Sequence, residues 1–151
     1  MKKSPLPFFL VALLVLALDQ LTKYYIRTHL GAFDVIRVFP FFNIVYAENT
    51  GSAFGMFKSL GGSFFIIVSM TAMVVLSVLL IKDPLNRLAY SLLLGGAAGN
   101  LLDRLCYGYV IDFLDAYAGN YHWPAFNVAD SALTLGIGIL FFVTISGKTN
   151  N

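Results

Sequence analysis

The side chains that could do chemistry gather in five stretches of the sequence, and all of them are carboxylates, amides or cations. They are Asp19 with Lys23, Asn49, Asn100 with Asp103 and Arg104, Asp112, and Asn127 with Asp130. Carboxylates can hold and move protons, and amide or guanidinium groups can orient a substrate. On a helix, spacings of three or four residues place side chains on one face, so Asp19 can pair with Lys23.

Other kinds of catalytic site find little support in this sequence. His29 and His122 are isolated and lack the His-Glu-x-x-His spacing of a zinc site, so we expect no metal. There is no Gly-x-Ser-x-Gly elbow either. Cys106 is the single cysteine, which excludes an internal disulfide, and we interpret it as a packing residue rather than a nucleophile.

The composition is that of a membrane protein. The 151 residues include only 12% charged residues, whereas soluble domains have about 25%. Mean hydropathy is +0.78. The net charge of +2 is small and unclustered, so we expect no nucleic-acid partner.

Four apolar segments predict an all-α membrane protein with four transmembrane helices and a small β-containing extracytoplasmic region. The helices cover about 7–26, 61–81, 87–104 and 129–147 of a single polytopic domain, 1–151, with outer loops at about 27–60 and 105–128. A spanning helix needs about 20 mostly apolar residues. The first and third segments reach that length only if their polar ends are included, which places these polar groups at membrane depth. We interpret the first segment as a retained helix, not a cleaved signal peptide.

Basic residues set the predicted orientation. Those assigned to the cytoplasm lie at the two ends and in one short turn, and they are Lys2, Lys3, Lys82, Arg87 and Lys148. The other side carries Arg27, Arg37 and Lys58, so the bias is weak by count. With both termini in the cytoplasm, the polar residues meet near the outer leaflet. Because charge in a bilayer is expensive, such a cluster predicts function.

Each polar residue also has a structural interpretation. Asp130 can be the N-cap of the fourth helix, and Asp112 a solvated loop residue. Asp19 with Lys23, and Asp103 with Arg104, can be structural ion pairs. The close spacing of small residues from Gly95 to Gly99 favours tight helix packing. Two rival functions stay open, a small transporter and a non-enzymatic assembly protein, although a transporter would carry polar groups through the membrane midplane.

Four motifs resemble those of one known family across nearly the whole chain. They are Asp19–Lys23, Asn49–Phe54, Gly95–Arg104, and a last motif that begins at Val110–Phe113 and resumes at Trp123–Asp130. In order and spacing the chain resembles the lipoprotein signal peptidases, or signal peptidase II, which are aspartyl peptidases of the bacterial cytoplasmic (inner) membrane.

The resemblance implies a function and a role for each residue. Asp112 and Asp130 would be the catalytic pair. Asn49, Asn100, Arg104 and Asn127 would line the site or bind substrate, while Asp19, Lys23, Asp103 and Gly51 would support its structure. The substrate would be a prolipoprotein with a diacylglyceryl cysteine, cut just before that cysteine. We expect no cofactor, contact with membrane lipid, a monomer, and a first outer loop that closes over the substrate as a lid.

Overall fold

A computed structural model of the protein describes residues 4–51 and 61–148. The elements in chain order are α1 (Leu6–His29), β1 (Val35–Phe39), β2 (Phe42–Asn49), α2 (Gly61–Lys82), α3 (Arg87–Tyr107), β3 (Val110–Ala118), β4 (Tyr121–His122) and α4 (Val128–Lys148). The mostly helical fold with a small β region is therefore confirmed. Part of the second motif, 52–54, lies outside the described residues, as do Lys2, Lys3 and Lys58.

Within the described residues, three helices are long and apolar enough to cross a membrane. These segments are Leu6–His29, Gly62–Lys82 and Val128–Ser146. Helix α3 is less apolar, since it carries Arg87, Asp103 and Arg104. It packs against all three of the others and is largely buried between them, while α1, α2 and α4 expose many large apolar side chains. The helix that brings most polar groups is thus the central one.

Glycines let α3 approach its neighbours closely. A Cβ atom on Gly95 would lie 2.6 Å from the main-chain oxygen of Ala12, and one on Gly96 would lie 2.6 Å from that of Ala129. A Cβ atom on Gly99 would collide with the carboxylate of Asp19. The predicted tight packing of this segment is confirmed, and it brings the backbones of α1 and α4 onto α3 beside the polar residues.

The four strands form one antiparallel sheet in the order β1-β2-β3-β4. Gly108 ends α3 in the left-handed region at φ +81°, a conformation that suits glycine, and turns the chain into β3. Ile111 and Phe113 of β3 pack against Ile26 at the end of α1. Asp112 lies between them, so it belongs to a strand fixed on the helices. The prediction of a loop at this position was wrong.

Candidate active site

The start of α4 holds one of the two aspartates. The main-chain N–H of Asp130 donates to Oδ1 of Asn127 over 2.8 Å, and the N–H of Asn127 donates back to Oδ2 of Asp130 over 3.3 Å. This reciprocal pair is a capping box, in which Asn127 is the N-cap. Asp130 is not the cap itself, and its partly exposed carboxylate lies at the positive end of the helix dipole.

Asp112 is almost fully buried, with 3% of its surface exposed, which excludes the solvated-loop interpretation. Its Oδ1 accepts a hydrogen bond from Nδ2 of Asn127 over 2.7 Å, and its Oδ2 accepts one from Nδ2 of Asn49 over 2.9 Å. Asn49 is itself oriented by the N–H of Gly51, which donates to its Oδ1 over 3.0 Å. Both oxygens of the Asp112 carboxylate are thus held by amides.

Asn100 of α3 joins Asp130 to the same group of amides. Its Nδ2 donates to Oδ1 of Asp130 over 2.8 Å. Its Oδ1 accepts hydrogen bonds from Nδ2 of Asn127 over 3.2 Å and from Nζ of Lys23 over 3.0 Å. The predicted residues Asn49, Asn100, Asn127, Asp112 and Asp130 therefore form one connected hydrogen-bonded set.

The surroundings of Asp112 favour its protonated form. Burial raises the pKa of this carboxyl, and the negative charge of Asp130 raises it further, to about 7. Hydrogen bonds from Asn49 and Asn127 and the charge of Lys23 act in the opposite direction but are outweighed. Two carboxyl groups in one site resist double ionisation, so this pair can hold a single proton near neutral pH.

A buried ionic group contacts these hydrogen-bonded residues through Asn100 and links α1, α3, α4 and β3. Lys23 makes ion pairs with Asp19 over 2.8 Å and with Asp103 over 3.0 Å. Oδ1 of Asp19 accepts the N–H of Ala129 in α4, and Oδ2 of Asp103 accepts the N–H of Ile111 in β3. The predicted pairing of Asp19 with Lys23 is confirmed, but the cation that Asp103 contacts is Lys23 and not Arg104.

Gln20 is a member of this ionic group that the residue patterns did not single out. Its Nε2 donates to Oδ1 of Asp103 over 2.9 Å and to Oδ2 of Asp19 over 3.2 Å. It also contacts the main-chain oxygen of Gly99 over 3.2 Å. Its place beside Asp19 in the first motif was the available signal. With Lys23, it supplies the donors that two buried carboxylates require.

Arg104 lies at the edge of the site and is partly exposed. Its guanidinium donates to the main-chain oxygens of Asn100 and Gly51, each over 3.2 Å. It also lies 5.0 Å from the ring centre of Phe65 in α2. Arg104 therefore connects α3 with the turn that follows β2, where Gly51 is buried.

A second polar cluster lies on the sheet and was missed. Asn43 donates from Nδ2 to Oδ2 of the buried Asp115 over 2.9 Å, and Nδ1 of His122 lies 2.8 Å from Oδ1 of Asp115. The register of β2 on β3 brings Asn43 opposite Asp115. Among residues 4–51 and 61–148, no group of three or more His, Cys, Asp or Glu side chains could hold a metal ion.

Comparisons with known proteins converge on one family. The model of the family described as signal peptidase (SPase) II matches residues 11–146. A lipoprotein signal peptidase of Thermodesulfovibrio yellowstonii is 52% identical over 128 residues, which cover 85% of this chain and 86% of the relative. One from Francisella tularensis subsp. novicida is 42% identical, with 97% of this chain and 96% of the relative covered.

Two solved structures share the fold. Each is described as a bacterial membrane enzyme. One superposes with a TM-score of 0.89 at 35% identity and covers 96% of this chain and 91% of its own. The other has a TM-score of 0.81 at 38% identity, with 92% of both chains covered.

Proposed function

The chain belongs to the signal peptidase II family of aspartic-type membrane peptidases, and on that premise we propose that Asp112 and Asp130 are its catalytic pair. Its substrates are prolipoproteins whose cysteine carries diacylglycerol, and it cuts the peptide bond just before that cysteine. The observation that carries the assignment is that Asn127 contacts both carboxylates, Asp112 through its side chain and Asp130 through its main chain.

The pair hydrolyses the peptide bond by activating a water molecule. One carboxylate takes a proton from the water as it attacks the carbonyl carbon, and the protonated partner polarises the carbonyl and then protonates the leaving amine. The pair titrates as a unit, and its shared proton resides mainly on the buried Asp112, whose pKa is raised to about 7. Asp130, more exposed and held by two N–H donors, is the base.

Side-chain amides and one guanidinium position the two aspartates and the substrate. Asn49 and Asn127 fix both oxygens of Asp112. Arg104 has five donors, so it can hold Gly51 and a substrate carbonyl at the same time. Fixing the scissile bond against the activated water supplies a large part of any rate gain. We propose that the first outer loop, about 27–60, closes over bound substrate as a lid; its residues 52–60 lie outside the described part of the chain.

We propose that all four helices span the bacterial inner membrane, with both termini in the cytoplasm. Three helices have the required length and composition. The remaining helix, α3, packs against the other three, and its charged residues Arg87 and Asp103 are buried within the protein. The strands follow the C-terminal ends of α1 and α3. If both helices start in the cytoplasm, these ends and the aspartates lie near the outer leaflet. At that depth the site can meet a substrate that is anchored by its signal helix and acyl chains. We propose that the protein acts as a monomer and that membrane lipid contacts the exposed apolar faces of α1, α2 and α4.

Purified full-length protein in detergent, incubated with a prolipoprotein, tests the substrate class. A precursor with a diacylglyceryl cysteine should release its signal peptide, and the same precursor without the lipid should not. Equal cleavage of both precursors would contradict the lipid requirement. Release from neither by well-folded protein would contradict the peptidase assignment and revive the transporter or assembly interpretations.

Arg104→Ala tests substrate binding, with Arg37→Ala as the matched control, because Arg37 lies exposed on β1, which β2 separates from the strand that carries Asp112. We expect Arg104→Ala to raise KM or lower kcat while the melting temperature stays close to that of the wild type. Arg37→Ala should change neither. An Arg104→Ala protein that melts early yet cleaves normally per folded molecule would show that Arg104 only supports the loop at Gly51.

A further inference from the structure

The side chain of Asn100 lies between a buried cation and the proposed base. Lys23 donates from Nζ to Oδ1 of Asn100 over 3.0 Å, and Nδ2 of Asn100 donates to Oδ1 of Asp130 over 2.8 Å. Asn127 reinforces this orientation, because its Nδ2 also donates to Oδ1 of Asn100, over 3.2 Å. Lys23, on α1, thus reaches Asp130, on α4, through one amide on α3.

The chemistry of lysine fixes which way this amide points. A lysine ammonium has three donors and no acceptor, so only the oxygen of Asn100 can face it. The amide nitrogen of Asn100, which is a donor only, must then face Asp130, and it donates to a carboxylate oxygen there. Rotated by half a turn, the amide would present its oxygen to the Asp130 carboxylate, an arrangement that is repulsive unless Asp130 is protonated. The orientation seen therefore suits the ionised carboxylate.

Lys23 is well placed to enforce that orientation. It is 1% exposed, and its two ion pairs, with Asp19 and Asp103, hold its ammonium in place. Gln20 shares both carboxylate partners but makes no contact with Asn100 among its hydrogen bonds within the described residues. Two donors in one ionic group therefore differ in whether they reach Asn100.

We propose that Lys23 is a positioning residue for the reaction as well as a structural one: through Asn100 it presents an N–H donor to Asp130 and so holds that carboxylate in place as the base. This inference rests on the proposed role of Asp130. The other charged groups around the site are Asp112 on β3, Arg104 and Asp103 on α3, and Asp19 on α1. Arg104 acts on Asp130 by charge alone, whereas Lys23 reaches Asp130 through the amide of Asn100.

Lys23→Met and Gln20→Met, compared in detergent with a lipidated prolipoprotein, separate positioning from support. Both variants should lower the melting temperature. Lys23→Met should also lower kcat per folded molecule by about ten- to hundredfold, which is the value of one hydrogen bond to a charged group, with KM within about twofold. The acidic limb of its pH–rate profile should move to higher pH, because a donor to the carboxylate is lost, while that of Gln20→Met should match the wild type. Two unshifted profiles would show that Lys23 is structural only.

A double-mutant cycle with Asn100→Ala distinguishes the amide from a direct charge effect. Once Asn100 is removed, Lys23→Met should shift the acidic limb little further. Fully additive shifts would overturn the proposal. If Lys23→Met fails to insert, Asp19→Asn/Lys23→Met is compared with Asp19→Asn alone, and the same shift of the acidic limb is required. Failure of the proposed function itself would be seen separately, as cleavage that survives Asp130→Asn.

Discussion

Asn127 donates its side-chain amide to Oδ1 of Asp112 over 2.7 Å, in a site where that carboxyl is 3% exposed. The same residue caps α4 and receives the N–H of Asp130 on its own oxygen over 2.8 Å. One side chain therefore caps the helix that carries Asp130 and holds the carboxyl group of Asp112.

Asn127→Ser separates these two tasks. Serine is as good an N-cap as asparagine, but it is too short to reproduce the amide donor to Asp112. We expect a kcat per folded molecule lower by about ten- to hundredfold, the value of a hydrogen bond to a charged group. The melting temperature should fall only by the loss of the buried amide, which also donates to the main-chain oxygen of Ile111. Asn127→Ala is the control, since it should lose the cap as well and cost about 1 kcal/mol more in stability. Normal turnover by Asn127→Ser would rule out the positioning role.

The raised pKa of Asp112 predicts how stability depends on pH. The unfolded chain titrates at about 3.9, and the folded group at about 7. Between these values the folded protein binds more protons, so the contribution of Asp112 to the free energy of unfolding falls as pH rises. In detergent, Asp112→Asn should therefore gain thermal stability relative to the wild type between pH 5 and about pH 8. A difference that does not change with pH would mean that Asp112 is not held in its protonated form.

Two glycines in neighbouring helices should respond oppositely to alanine. At Gly96 a Cβ atom would lie 2.6 Å from the main-chain oxygen of Ala129, so Gly96→Ala should push α4 from α3 and lower the melting temperature. Gly138, on α4, has nothing within 4 Å of its Cβ position. Gly138→Ala should leave stability unchanged or raise it by up to about 1 kcal/mol through helix propensity. A tolerated Gly96→Ala would contradict the tight packing that places Asp130 beside Asn100.

Membrane topology can be measured by cysteine labelling after Cys106→Ser. Leu85 is exposed in the turn between α2 and α3, and Ala118 is exposed at the end of β3. An impermeant thiol reagent should label Leu85→Cys from the cytoplasmic side only and Ala118→Cys from the outer side only. The reverse pattern would place the aspartates in the wrong compartment for processing an exported lipoprotein.

Much of the fold follows from the sequence, because apolar stretches of membrane length predict helices directly. The position of Asp112 does not, since β3 exists through its pairing with β2, a partner far away in the chain. Similarly, Arg104, the next residue in the sequence, was interpreted as a possible ion-pair partner of Asp103, but packing of α1 on α3 brings Lys23 there instead. Cys106 was interpreted as a packing residue, but it is exposed. The interpretation failed because an isolated cysteine in the sequence does not show which face of its helix is buried.

The site required more than patterns of residue type. Composition and spacing indicated a polar cluster at one side of the membrane, and the four motifs supplied the roles proposed for its members. Neither singled out Asp115 with Asn43 and His122, since that cluster depends on the register of two strands.

The central claim is that Asp112 and Asp130 are the catalytic pair, and the most direct measurement is signal-peptide release by Asp112→Asn and Asp130→Asn. Asp34→Asn is the control, because Asp34 lies in an exposed turn after α1, where its carboxylate accepts the N–H of Gly31. All three proteins should insert and fold. The first two should cleave a lipidated prolipoprotein about a hundred- to ten-thousandfold more slowly than the wild type, as expected when a catalytic acid or base is lost, and Asp34→Asn should cleave normally. Near-normal release by either of the first two variants would contradict the paired-aspartate mechanism.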